Sequence, residues 1–208
     1  MRTISLLLVG LAGAAMAEPM NGAPPPSEFV YCTTCHGVQM MGNATLNAPR
    51  LSGLDAGYVE RQLVAYRAGW RGTVAGDSVG ALMRPMAMSL SEAQVAAAAE
   101  YVASTRSPLP VPTGNGDAER GRSLYPSCAA CHGVAGKGNA AVAGPALVGL
   151  NDWYLVRQLT GYRDGWRGTH ADDTAGQQMV GAASQLKTDD DIADVVAYIM
   201  TFSAISKP

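Results

Sequence analysis

The sequence predicts an all-α protein in which one helical unit occurs twice, and three observations carry that prediction. The chain repeats itself at a single offset: Cys32, Cys35, His36, Gly37 and Val38 return as Cys128, Cys131, His132, Gly133 and Val134. Apolar residues such as Tyr58, Val59, Leu63 and Tyr66 recur at the spacing of one helix face. No segment alternates apolar and polar residues over a useful strand length. The repeat reaches well beyond the cysteines. PRLSGLDAGYVERQLVAYRAGWRGT from Pro49 aligns without a gap onto PALVGLNDWYLVRQLTGYRDGWRGT from Pro145, matching Tyr58 with Tyr154, Gln62 with Gln158, Tyr66 with Tyr162, Arg67 with Arg163, Trp70 with Trp166 and Arg71 with Arg167. A match of that length is a tandem duplication, which sets the architecture before any motif is read.

Residues 1–17, MRTISLLLVGLAGAAMA, carry one arginine, an apolar run from Ile4 to Ala15 and a small-x-small end at Ala15-Met16-Ala17, the pattern of a cleaved export signal. The run is shorter than the ~20 apolar residues of a spanning helix. The mature chain is therefore expected to begin at Glu18, in an oxidising compartment such as a bacterial periplasm. The first unit occupies 18–107. Its opening helix is cut short, because only PPPSEFVY stands before Cys32. A helix from about Asp55 to Ala68 follows, and a last one starts after Ser91, whose hydroxyl can cap EAQVAAAAEYVAS. In SPLPVPTGNG, three prolines disfavour helix and the Gly-Asn-Gly end permits turns, which places a linker at 108–116. The second unit, 117–208, opens with DAERGRSLYPSC, a helix capped by Asp117, and repeats the middle helix from Asp152 to Asp164. It closes with TDDDIADVVAYIMTF, where Thr188 caps and the acids of the first turn suit the helix dipole.

Four cysteines in an exported chain can form two disulfides. Here each pair is three apart with a histidine directly after it, and large hydrophobes are scarce, with two Phe against 24 Gly in the chain. A structural zinc site needs four ligands. The one further histidine, His170, has Val74 at the corresponding place in the first copy, so that copy could not complete such a site. A redox dithiol would want a βαβ context. Covalent attachment of haem c is the reading that remains. Positions i and i+3 share a helix face, so Cys32 with Cys35, and Cys128 with Cys131, can form thioethers to the two vinyl edges of one porphyrin each. His36 and His132 are then the proximal iron ligands. Two large apolar cofactors also supply core material that small units lack.

Ten methionines offer distal ligands, and the repeat register selects among them. Met40, Met41, Met86 and Met88 land on Gly136, Lys137, Ala182 and Ser184, whereas Met83 lands on Met179. Both are placed in loops, seven residues before Leu90 and Leu186, and are assigned to the two irons; Met86 is the rival in the first copy. His/Met ligation raises the reduction potential and closes the iron, which suits a carrier better than a catalyst. Arg71 and Arg167 are read as contacts to haem propionates, since carboxylates favour bidentate arginine. Arg67 and Arg163 fit that role and ordinary surface ion pairs equally well. Trp70, Trp166, Tyr66 and Tyr162 read as core residues lining the cofactor pockets, with an indole donor to a propionate as the sharper role for the tryptophans. Pro49 and Pro145 shape the loops near the proximal histidines, and His170 reads as a solvated loop residue.

Two units, each with CxxCH, a QL..YR.G.R helix end, and a distal Met seven residues before a leucine and a last helix ending in Tyr-Val or Tyr-Ile, resemble the dihaem cytochrome c4 group, nearly over the whole mature chain. The resemblance implies two tandem class I cytochrome c domains packed with approximate twofold symmetry, haems facing across the interface. It also implies electrons shuttled from a quinol-oxidising complex to a terminal oxidase in the periplasm. The proline-rich start and the Met-rich MRPMAMSL depart from that pattern.

The function expected is that of a soluble dihaem electron carrier rather than an enzyme. The alternative is the electron-accepting cytochrome subunit of a periplasmic dehydrogenase, oxidising sulfide or alcohol. A dihaem peroxidase would need one haem without a strong distal ligand, which the pair Met83 and Met179 opposes. Expected partners are redox proteins, with room for peripheral attachment to a membrane. The formal charge of -2 leaves no basic footprint for nucleic acid.

Overall fold

The structure, a computed structural model, describes residues 24–205; the export signal expected at 1–17 lies outside them. Among the described residues β-pairing is limited to two isolated bridges, Asn43 with Ala48 and Asn139 with Gly144, which again correspond in the repeat. The first lobe holds α1 (Val30–His36), α2 (Ala56–Arg67), α3 (Ser78–Met88) and α4 (Glu92–Ser104). The second holds α5 (Ala118–Leu124), α6 (Pro126–His132), α7 (Asp152–Arg163), α8 (Thr174–Ala183) and α9 (Asp189–Ile205).

The expected caps are in place. Ser91 and Gln94 form a reciprocal capping box at α4, and Asp117 accepts from the N–H groups of Glu119 and Arg120 at α5. The Thr188 hydroxyl accepts from Asp191 N–H at the start of α9. Two expectations need correction. Met83 and Met179 lie in helices, not loops. Asp77 and Asp173 start α3 and α8 by accepting from the N–H groups of Gly80 and Gly176, each at 2.9 Å, while Pro85 and the glycines at 176 and 181 mask the helical pattern in the sequence. The segment DAERGRSLYPSC is also two helices rather than one, because Pro126 has no N–H to continue α5 and instead begins α6.

In the second lobe α5 crosses α9 at very close range. A Cβ on Gly121 would stand 1.9 Å from the Asp194 carbonyl oxygen, so only glycine permits the approach. Arg120 then bridges Asp191 and Asp194 on the facing helix. The first lobe has Pro25 at the place of Gly121 and no such crossing in its described residues. There the buried Phe29 stacks on Tyr101 of α4, centroids 6.0 Å apart, and anchors the short α1.

The two lobes share one apolar core. Met40, Leu54, Val59 and Val102 of the first belong to the same buried cluster as Leu150, Leu155, Ile192 and Val195 of the second. The linker is pinned at both ends. Arg50, buried and with no carboxylate partner among the described residues, donates to the carbonyls of Ser52, Ser107, Pro108 and Gly149. The buried Asp152 accepts from the N–H groups of Thr113 and Gly114.

Candidate functional site

Each lobe encloses a cleft between its CxxCH helix and its methionine helix. The first, about 1150 Å³, is lined by Cys32, Cys35 and His36 on one side and by Met83 and Met86 on the other, with Leu51, Leu54 and Val59 in its floor. The second, about 700 Å³, lies between His132 and Met179 over Leu150, Leu155 and Leu159. All four cysteines are free thiols, so neither pair forms a disulfide. Cys32 and Cys128 are half-buried, Cys35 and Cys131 exposed, and burial pushes the Cys32 and Cys128 thiols up.

The two histidines are set identically. His36 Nδ1 lies 2.8 Å from the Pro49 carbonyl oxygen and His132 Nδ1 2.8 Å from that of Pro145. A carbonyl only accepts, so Nδ1 carries the proton and Nε2 keeps its lone pair for a metal. Burial pushes both imidazoles below their ordinary pKa, against the effect of the carbonyl, which favours the neutral ring that ligation requires. The prolines expected to shape the proximal loops thus supply the orienting carbonyls.

Between the clefts stands a partition made by both lobes. Gln62 Oε1 accepts from Arg71 of its own lobe at 2.7 Å and from Arg167 of the other at 3.0 Å. Gln158 Oε1 accepts from Arg167 of its own lobe and from Arg71 of the other at 3.0 Å. Such reciprocity, residue for residue, is the mark of a twofold relation. Each guanidinium also lies over a tyrosine of its own lobe, Arg71 over Tyr66 and Arg167 over Tyr162, both 4.4 Å from the ring centroid. Both arginines are buried, and among the described residues Arg71 Nε has no hydrogen-bond partner. A buried cation beside an apolar cleft with a donor to spare suits a cofactor that carries carboxylates. Together with the lone pairs of His36 and His132, this donor set fits a haem in each cleft.

Tyr66 and Tyr162, expected in the pocket walls, line the clefts of their own lobes, and so do Arg71 and Arg167, the residues read as contacts to haem propionates. Trp70 and Trp166 are not in the lining of either cleft and need correction. Gly69 and Gly165, both with φ +79°, close α2 and α7, so that each tryptophan faces the opposite lobe while the next residue, arginine, turns inward. Trp70 stacks on His170 at 5.6 Å. Trp166 packs where a Cβ on Gly76 would come within 2.7 Å of its ring. His170 is exposed in a bend between α7 and α8, as expected, and is in addition a stacking partner across the interface. What the sequence reading missed is that each cleft borrows three residues from the other lobe: Tyr154, Arg157 and Gln158 in the first, Tyr58, Arg61 and Gln62 in the second. Their i, i+3, i+4 spacing on matched helices was the available signal.

Residues 29–106 and 118–203 each match the Cytochrome c family. The chain is 33% identical to a thiosulfate dehydrogenase electron acceptor of Stutzerimonas stutzeri (strain A1501), over 93% of this chain and 89% of that protein. It is 31% identical to cytochrome c4 of Azotobacter vinelandii, over 93% of this chain and 94% of that one. The solved structure of reduced recombinant cytochrome c4 from Pseudomonas stutzeri superposes with a TM-score of 0.66 at 29% identity, covering 83% of this chain and 93% of the other. Paired clefts, paired motifs and these likenesses agree: the chain belongs to the cytochrome c family, as an electron carrier of the dihaem cytochrome c4 type with one haem c attached covalently at Cys32 and Cys35 and another at Cys128 and Cys131.

Proposed function

We propose that His36 and Met83 hold the iron of haem 1, that His132 and Met179 hold that of haem 2, and that the protein accepts single electrons from a periplasmic thiosulfate-oxidising dehydrogenase. Haem iron supplies a one-electron ferric/ferrous couple. The residues do the rest. Imidazole on one side and thioether on the other favour the ferrous state and leave no place for a substrate on the metal. The shared partition of Tyr58, Gln62, Tyr154 and Gln158 carries the reading, since one layer of side chains separates the two clefts and an electron can pass between them inside one molecule. Exposed Leu46, Leu82 and Met86 border the first cleft, whereas Gln178 and Ala182 stand at the places of Leu82 and Met86 in the second lobe. That apolar rim suits a redox partner docking at haem 1.

The likeness to a thiosulfate dehydrogenase electron acceptor supports the dehydrogenase as donor. Likeness to cytochrome c4 supports a second reading, transfer from a quinol-oxidising complex to a terminal oxidase. Among the described residues no helix is long and apolar enough to cross a membrane, and residues 1–17 are read as a periplasmic export signal cleaved near Ala17. Stopped-flow mixing of the oxidised protein with purified thiosulfate dehydrogenase and thiosulfate is the test. Reduction of both haems within the turnover time of the enzyme is expected. Reduction by a quinol-oxidising complex alone would leave the second reading standing, and reduction by neither would overturn both.

A further inference from the structure

The partition between the clefts contains a second pair of arginines besides Arg71 and Arg167. Arg157 of α7 lines the first cleft, and its repeat counterpart Arg61 of α2 lines the second. Each therefore stands at the cleft of the lobe to which it does not belong. Arg157 is held there by two contacts. Its guanidinium lies 3.6 Å from the carboxylate of Asp77 in the first lobe and 5.7 Å from the centroid of the Trp166 ring. Asp77 is itself fixed by the N–H groups of Gly72 and Gly80. Arg61 crosses in the opposite direction, donating to the Ala143 carbonyl of the second lobe at 3.4 Å, and it is more exposed than Arg157.

We infer that the two haems are served by swapped arginines: Arg157 is a positioning and charge-setting residue for haem 1, and Arg61 for haem 2, each presenting a cation to the carboxylate side of the cofactor in the other lobe. The inference rests on the reading that both clefts carry haem. A fixed positive charge beside a haem favours the ferrous form, which carries one positive charge fewer, and low surrounding dielectric strengthens the effect. Arg157, 23% exposed, offsets the buried Asp77 carboxylate in the wall of the same cleft, so losing it removes a cation and leaves that anion uncompensated, a larger effect than losing the more exposed Arg61.

The crossing is what distinguishes this from a general role in stability or surface charge. Redox titration of the haem-loaded protein resolves two waves, assigned by the Met83→Ala and Met179→Ala variants, each of which displaces the wave of its own haem. Arg157→Gln, although made in the second lobe, is expected to weaken the ferrous form of haem 1 about tenfold, a fall of ~59 mV for one electron, with haem 2 unmoved. Arg61→Gln is expected to lower haem 2 by a smaller amount with haem 1 unmoved, and Arg157→Lys is expected to restore most of the loss. Shifts confined to the haem of the mutated lobe, equal shifts of both haems, or no shift would each overturn the inference. Should Arg157→Gln not load haem, the Arg61→Gln titration decides alone. Failure of the underlying reading shows separately, as a wild-type mass with fewer than two haems.

Discussion

Removing one glutamine from the partition should loosen the lobes from each other. In Gln62→Ala the acceptor at 2.7 Å from Arg71 and 3.0 Å from Arg167 is lost. Both guanidinium groups are buried, 4% and 3% exposed, so water does not freely replace the missing oxygen. A hydrogen bond to a charged group contributes ~1.5–3 kcal/mol, and a buried donor left unpaired loses its full solvation. Two such bonds put the cost at ~3–6 kcal/mol, with the lower end applying if a water enters the space of the deleted amide. For a chain of this size 1 kcal/mol corresponds to ~2–4 °C in Tm, so even the lower figure is a fall of ~6–12 °C. Thermal unfolding of the haem-loaded protein, followed by far-ultraviolet circular dichroism, measures it. Replacing donor and acceptor together, Gln62→Met with Arg167→Met, should cost less than the sum of the single changes, because neither leaves the other stranded. A Gln62→Ala midpoint within ~2 °C of the parent would refute the claim that these bonds hold the interface.

Two further outcomes follow from the same structure. Met83→Ala and Met179→Ala should each remove one of two methionine-to-iron charge-transfer bands from the oxidised spectrum and lower the potential of the corresponding haem; loss of the first band in Met86→Ala but not in Met83→Ala would reassign that ligand. Stability should fall in acid through Asp152 and Asp191. At Asp152 burial opposes the charge, but the N–H groups of Thr113, Gly114 and Trp153 outweigh it and hold the carboxyl below its ordinary range. At Asp191 the Thr188 N–H acts first, helped by Lys187 N–H and Arg120 against burial. A depressed pKa in the folded state means stability present above the unfolded value, near 3.9, and lost as the pH falls through it toward the folded value. Through these two carboxylates the melting temperature should drop below about pH 4, with Asp152→Asn showing a shallower drop there; an equally steep one would count against the linker clamp.

Much of this protein is one-dimensional information. The offset that carries Cys32 to Cys128 and Met83 to Met179 is visible without coordinates, because duplication copies chemistry along with sequence. The capped helices starting at Glu92 and Asp189 were legible for a local reason: a cap is a contact between residues three apart. The helices holding Met83 and Met179 were not, since their glycines and Pro85 weaken the pattern, and their starts depend on Asp77 and Asp173 turning back onto Gly80 and Gly176. A repeat also says that two residues have the same role without saying in which lobe they perform it. Arg61, Gln62, Arg157 and Gln158 match in register whether they serve their own lobe or the other. Only the meeting of α2 and α7 side chains at the partition between the clefts sends them over the boundary. Trp70 and Trp166 make the same point from the opposite side. They read as core residues lining the cofactor pockets, but the turns at Gly69 and Gly165 direct them to the neighbouring lobe, and the geometry of a turn placed against a second domain is a property of the assembled chain.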